Sequence, residues 1–337
     1  TLNIALKTFH TITNTSPEIE GLQGSYIAFV DAMFVREMEG FFVEYAVLAR
    51  LLSTATLFWI DGTAEIMGRL SADYKKLRHQ FEAGSGISPM DGLKFGLSDP
   101  HYNGRTVILL QFGGKEIFYK PKSLALGIAL NEWFNWIHAY SKFAFPSLKI
   151  QQAENYGWME YIERGQFNTS KQISHYYQNS GRFLALIHTL AANDCHSGNV
   201  INDGKQPVLV DAETLMHHRV PDIEYHFLDA RAAAHAILEN SVLRTQFLPK
   251  WELGGNGQLV DMSALGNEAI SPNDYEAEII SGFTERYRFL MAHREELLAE
   301  GSPLEGFKNQ RVRYVFRPTQ TYQTVLQHTL QPRYLHE

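Results

Sequence analysis

The 337-residue sequence contains a single cysteine, Cys195. That excludes an intrachain disulfide framework and any zinc site built on two or more thiolates, and it makes the cytoplasm the expected compartment. Positive charge is also short, with 30 Lys and Arg against 37 Asp and Glu and a formal net charge of -7. Duplex nucleic acid wants clustered cations and is not the expected partner. No apolar run suits a membrane span: YAVLARLLSTATLFWI at 45–60 carries Arg50 and several hydroxyls and reads as a buried helix. Low-complexity tracts, fixed-period repeats and a signal peptide are absent too. The chain opens on Thr1 without methionine and stops at RYLHE, ends expected of a piece cut from a longer protein.

The pattern that is present changes along the chain. Up to about residue 90 apolar residues recur every three to four positions, in EGFFVEYAVLARLLSTATLFW and AEIMGRLSADYKKLRHQF, which predicts a helical layer. GLSDPHYNGRTVILLQFGGKEIFYKPK then alternates β-rich runs with Asp-Pro, Asn-Gly and Gly-Gly turns, so strand, loop, strand, turn, strand is expected from 93 to 120. A helix follows over 123–141 with Ser123 as candidate N-cap, and KIQQAENYGWMEYIE offers extended segments. A long helix at about 170–192 carries Ile173, Tyr177, Leu184 and Ile187 at helical spacing. Near the end, DYEAEIISGFTERYRFLMAHREELLAE predicts another amphipathic helix, and RVRYVFRPTQTYQTVLQH a strand running into a helix.

LIHTLAANDCHSGNVINDGKQPVLVDAETL, residues 186–215, gathers Asp194, His196, Asn199, Asp211 and Glu213 into twenty residues. NVINDGKQPVLVD reads as a hairpin turning at Asp203-Gly204, which sets Asp211 opposite His196, with Pro207 leaving the register open by a residue or two. All five polar residues then meet at the open end. Any one of them has an ordinary reading, since Asp and Asn decorate turns. As a set they copy the spacing by which kinases place a catalytic Asp, a metal-binding Asn five residues on, and a metal-binding Asp after a hairpin. Asn199 and Asp211 could supply the hard oxygens that Mg²⁺ prefers, and Glu213 stands two residues on, on the same face as Asp211 if the strand persists. A kinase also needs a strand lysine and a helix glutamate upstream, for which Lys120 and Glu132 are the candidates, and an adenine-binding hinge, expected near Glu160 to Ile162. His217 and His218 face opposite ways if extended and are not expected to share an ion.

In order, GLSDPHYNGRTV (96–107), YKPKSL (119–124), YGWMEY (156–161), NDCHSGNVI (193–201), PVLVDAETL (207–215) and RYVFRPTQTY (313–322) resemble the motifs of the dehydratase domain of class II lanthipeptide synthetases, the LanM type. The match spans about residues 20–337. The resemblance implies an α+β, lipid-kinase-like, two-lobed catalytic core with an added helical layer. Residues 1–90 would be the helical part, 91–165 the N-lobe and 166–337 the C-lobe. It implies an enzyme that phosphorylates Ser and Thr of a leader-bearing precursor peptide with ATP and Mg²⁺. The same enzyme then eliminates the phosphate, with ADP retained, to leave dehydroalanine or dehydrobutyrine.

By the same resemblance Lys120 would hold the nucleotide phosphates, Asp194, His196 and Asn199 would form the catalytic loop, and Asp211 with Glu213 would stand at the metal. Asp99 and His101 match a pair near the glycine-rich loop, and Arg313 and Thr319 match residues that eliminate phosphate. The family usually shows Leu where Cys195 stands and Arg where Lys122 stands. Full synthetases continue into a C-terminal cyclase domain that holds zinc with two cysteines and a histidine, which one cysteine cannot supply. A Ser/Thr or lipid kinase that stops at the phosphate ester, and a peptide-binding pseudoenzyme, are the alternatives.

Overall fold

The computed structural model describes residues 22–35, 38–81, 89–141, 143, 145–218, 230–253, 257–266, 270–314 and 319–336. In chain order the helices are α1 (Leu22–Val35), α2 (Glu39–Glu44), α3 (Ala46–Phe81), α4 (Ala125–Tyr140), α5 (Ser170–Thr189), α6 (Ala230–Glu239), α7 (Glu276–Ala292), α8 (Arg294–Leu298) and α9 (Thr319–Thr329). The chain is α+β, as expected. It divides into two compact units: 1–72 with 100–105 and 316–337, and 73–99 with 106–315.

The described residues of the first unit are mainly helical. The two periodic stretches read from the sequence merge into α3, a single helix of 36 residues, after a break at Tyr45, whose φ of -104° and ψ of 58° leave the helical region. Tyr45 is buried, with its ring 4.2 Å from that of His336, and Leu48 N donates to Leu335 O. The loop 100–105 is tied down by charge. Arg105 forks onto both oxygens of Glu65 at 2.6–3.0 Å, and backbone bonds of 2.8 Å in both directions join His101 to Arg105. Tyr102, Asn103 and Gly104 all have positive φ, the turn that Asn-Gly announced.

The second unit holds a five-stranded antiparallel sheet of order β1-β2-β3-β5-β4, with β1 (Gly92–Lys94), β2 (Ile108–Phe112), β3 (Lys115–Lys120), β4 (Ile150–Gln152) and β5 (Gly157–Glu160). The strand, loop, strand, turn, strand order expected over 93–120 is present. Below it α5 starts on a capping box, Thr169 accepting from Gln172 N while the Gln172 side chain accepts from Thr169 N. Tyr177, Leu184 and Ile187 lie buried on its apolar face, in a core shared with Trp133 and Phe134 of α4. Gly165 explains itself here: a Cβ would lie 2.2 Å from the backbone of Asp203 and Gly204, so only glycine lets this segment pass the hairpin tip.

Three local expectations are corrected. The helix after Ser123 begins at Ala125 and its N-cap is Leu124. Ser123 Oγ accepts from Ala125 N at 3.3 Å from outside the helix. Arg311–Tyr314 forms no strand, because its backbone meets a turn rather than a ladder: Arg313 N donates to Glu213 O at 2.8 Å. The hairpin of β6 (Val200–Asn202) and β7 (Pro207–Leu209) pairs Val200 with Leu209, two residues out of the expected step. Its loop is Asp203–Gln206, and Asp203 Oδ1 accepts from Lys205 N (2.7 Å) and Gln206 N (2.8 Å), an Asx turn that outcompetes a two-residue reversal. The remaining strands, β8 (Trp251–Leu253) and β9 (Leu259–Asp261), form a second hairpin.

Candidate active site

The β6–β7 hairpin and the loop that enters it bring five of the expected residues together. The corrected register has Val210 N donating to Asn199 O at 2.9 Å, so Asp211 stands one residue beyond Asn199's partner. In the entering loop Asp194 adopts a left-handed backbone, φ 61°, which turns its carboxylate back toward Asn199. Asn199 Nδ2 donates to Asp194 O at 2.8 Å and Oδ2 at 3.3 Å. Gly198 N donates to His196 Nδ1 at 3.0 Å, so the ring's hydrogen belongs on Nε2, which faces Asp194 Oδ1 at 3.4 Å. The loop's backbone is pinned from outside: Cys195 N donates to Thr245 O and Ser197 N to Met262 O.

Three basic side chains, Lys120, Lys122 and Arg313, face this loop and the carboxylates of Asp211 and Glu213. Lys122 Nζ lies 3.0 Å and 2.7 Å from the two oxygens of Asp211 and 2.7 Å from Glu213 Oε2. Arg313 Nη1 holds the other Glu213 oxygen at 2.5 Å. Lys120 is buried at the end of β3 and donates to Val210 O. Burial lowers the Lys120 ammonium below the ordinary lysine value against the opposing charge of Asp211. Burial works the same way on Lys122, but Asp211 and Glu213 overcome it and raise that group. Asp211 would be raised by burial, yet Lys120 and Lys122 hold its carboxyl below the usual carboxylate range. Lys122 and Asp211 are therefore charged near neutrality. Phosphate-sized anions and small cations each find complementary groups at this mouth.

Other expected residues lie elsewhere. Glu132 does not pair with Lys120: it is exposed on α4 with its carboxylate against Gly306, because the buried face of that helix is taken by Ala129, Leu130, Trp133, Phe134 and Ile137. Glu160 ends β5, its Oε1 accepting from Lys149 N at 2.7 Å, and Ile162 follows half-buried in the segment leading to α5. That segment reaches the loop 194–199 through Arg164, which donates to Ser197 O at 3.0 Å. Asp99 belongs to the second unit and His101 to the first. Thr319 opens α9 and its side chain lies outside the described residues. His217 is buried and stacked on Tyr314 with ring centroids 5.3 Å apart, and no group of three or more His, Cys, Asp or Glu fit to hold a metal occurs among the described residues.

Sequence reasoning passed over Lys122 as a departure from a family pattern. Its signal was YKPK, a second lysine two residues after the strand lysine Lys120.

No helix among the described residues is long and apolar enough to cross a membrane. The lacticin 481/lactococcin biosynthesis protein LcnDR2 of Lactococcus lactis subsp. lactis is 24% identical over 323 residues, covering 80% of this chain. The chain spans about a third (34%) of that protein's length. A family described as a domain of unknown function, DUF4135, matches residues 45–270 and 264–337. Together these bear out the family resemblance read from the six motifs, and the chain belongs to the DUF4135 family.

Proposed function

We propose that this chain is a lanthipeptide dehydratase domain, cytoplasmic, which phosphorylates Ser and Thr of a leader-bearing precursor peptide and then eliminates the phosphate. The carrying observation is the meeting of Asp194, Asn199, Asp211 and Glu213 at one hairpin mouth, with Lys120 and Arg313 beside them. The similarity to a protein named for lacticin 481 biosynthesis supplies the substrate class. A kinase-like two-lobed core, with 91–165 as one lobe and 166–337 as the other, is part of this reading.

The donor set suits Mg²⁺. Asp211 and Glu213 already converge on one cation, the Lys122 ammonium, and Asn199 spends its amide nitrogen on Asp194, a use compatible with offering its oxygen outward. Asn199, Asp211 and Glu213 would hold the metal. Bound with ATP, it would neutralise charge on the phosphates. Lys120 would contact the phosphate oxygens, and Glu160 to Ile162 would border the adenine.

Asp194 then accepts the proton of the Ser or Thr hydroxyl as its oxygen attacks the γ-phosphorus and ADP departs. His196 and Asn199 hold that carboxylate in place. Elimination passes the acidic Cα proton to a basic side chain of the site, turns that electron pair into the Cα–Cβ double bond and breaks the Cβ–O bond, whose electrons leave with the phosphate. Phosphate leaves far more readily than hydroxide, and Arg313, with Thr319, would bind it as it goes. Asp99 and His101 are assigned to the same chemistry.

The test is incubation of the protein with ATP, Mg²⁺ and a lanthipeptide precursor, followed by mass spectrometry. Loss of water from Ser and Thr is the expected result. A peptide that gains about 80 Da per site and stops there would make the chain a kinase without elimination. Binding without nucleotide consumption would make it a pseudoenzyme.

A further inference from the structure

Lys122 sits where the Asp211 and Glu213 carboxylates converge. An ammonium has three hydrogens, and its contacts at 2.7, 2.7 and 3.0 Å match them in number. Lys120, two residues earlier, is directed away to Val210 O, and Arg313 takes the opposite oxygen of Glu213. The Lys122 side chain is only about a fifth exposed, at 21%, as are its two partners at 20%.

We propose that Lys122 is a tethered counter-ion that competes with the divalent cation for Asp211 and Glu213, so that metal enters only by displacing the ammonium. The proposal rests on the metal reading of this site. A Mg²⁺-sized ion that took the three oxygens now facing Lys122 would coordinate them at about 2.1 Å and so occupy the place the ammonium fills. A protonated amine has no lone pair to offer the metal, and the two positive charges repel. One site cannot hold both. The four-carbon stem lets the ammonium leave by side-chain rotation, with the backbone unmoved.

The arrangement has a use. Without metal, two neighbouring carboxylates in a half-shielded site would repel each other, and Lys122 keeps them assembled. The cost is weak affinity for metal alone. A polyphosphate arriving with the metal offsets it, because its oxygens accept the displaced ammonium.

Mn²⁺ titrations of the whole chain without nucleotide, with free Mn²⁺ read by electron paramagnetic resonance, test this. Lys122→Met keeps the stem and removes the charge, and it should bind Mn²⁺ at least about tenfold more tightly than wild type as the repulsion goes. Lys122→Arg should stay near wild type, and inorganic triphosphate should narrow the gap between wild type and Lys122→Met. Equal or weaker Mn²⁺ binding by Lys122→Met, with binding abolished in Asp211→Asn, would overturn the competition while leaving the metal site standing. No Mn²⁺ binding by wild type or any Lys122 variant would remove the metal reading and the competition with it. If Lys122→Met shows no cooperative thermal transition, Lys122→Gln carries the same measurement with the same expected tightening.

Discussion

The crossing of α5 with α7 and the mouth of the β6–β7 hairpin are held together by different physics. At the crossing two glycines meet two carbonyls: a Cβ on Gly181 would lie 1.9 Å from Ile279 O, and one on Gly282 would lie 1.9 Å from Gln178 O. Phe183, Leu186 and Ile187 are fully buried nearby. This region has no spare volume, and its stability comes from dispersion and apolar burial. At the mouth Lys122, Asp194, Asp211 and Glu213 each keep about a fifth to a quarter of the side chain exposed, and balanced charge sets the geometry. One region should respond to added volume and the other to altered charge.

The largest effect should follow from breaking the first half of that contrast. Gly181→Ala adds one methyl group. Helix propensity alone would favour it by about 1 kcal/mol, but overlap with a backbone carbonyl cannot be relieved by a side-chain rotation and must part the helices. A net loss of about 3 kcal/mol is expected, read as a fall in thermal midpoint or as insoluble protein. A midpoint equal to or above wild type would mean the crossing is looser than drawn.

The mouth should give the converse result. Asp194→Asn and Asp211→Asn preserve shape and remove charge, so peptide phosphorylation should drop by at least about 100-fold while the thermal midpoint moves by only a few degrees. Peptide dehydration at wild-type rate by either variant would remove the assignment. A large fall in midpoint would show that these charges hold the fold as well as the site.

The same contrast explains what could be read from sequence. Periodicity is a property of a buried face, so α5 was legible through Tyr177, Leu184 and Ile187, and the sheet through its Gly-Gly and Asn-Gly turns. The spacing from Asp194 to Asn199 was legible because both lie on one local loop. Partners set by long-range geometry were not. Strand-then-helix order makes Glu132 the expected mate for Lys120, yet α4 turns it outward, and Lys122, two residues beyond the end of β3, takes the carboxylates instead. The hairpin register was missed because the Asp203 side chain supplies its own backbone bonds, which a two-residue turn rule ignores.

A narrower effect should come from Arg313. It hydrogen-bonds to Glu213, by side chain at 2.5 Å and by its own N–H to the Glu213 carbonyl. Arg313→Ala keeps the backbone bond and removes the guanidinium. Phosphoryl transfer should continue, elimination should slow, and peptide gaining about 80 Da per site should accumulate. Thr319→Ala should give the same intermediate. Unmodified peptide from either variant, or fully dehydrated peptide, would refute this division of labour.

Cys195 belongs to both regions at once, and it sharpens the comparison with the smallest perturbation. Its backbone lies between Asp194 and His196 at the mouth, but its side chain is only 1% exposed and packs into the core with Leu186, Ile187 and Leu215. Burial pushes its thiol far above the ordinary cysteine value, with the charges of Asp194 and Asp211 adding to the rise. The thiolate is the nucleophile, so alkylation near pH 8 must wait for an opening that exposes and ionises the sulfur. Labelling by iodoacetamide should be at least about 100-fold slower than for a free thiol, and its rate should report the opening free energy of the loop that carries Asp194 and His196. As the sole cysteine it gives this readout without further engineering. If charge balance holds the mouth and packing holds the core, Asp211→Asn should speed labelling only modestly and Gly181→Ala should speed it far more. Fast labelling of the native protein, or the reverse order of the two variants, would mean that the loop is not anchored in the core through Cys195.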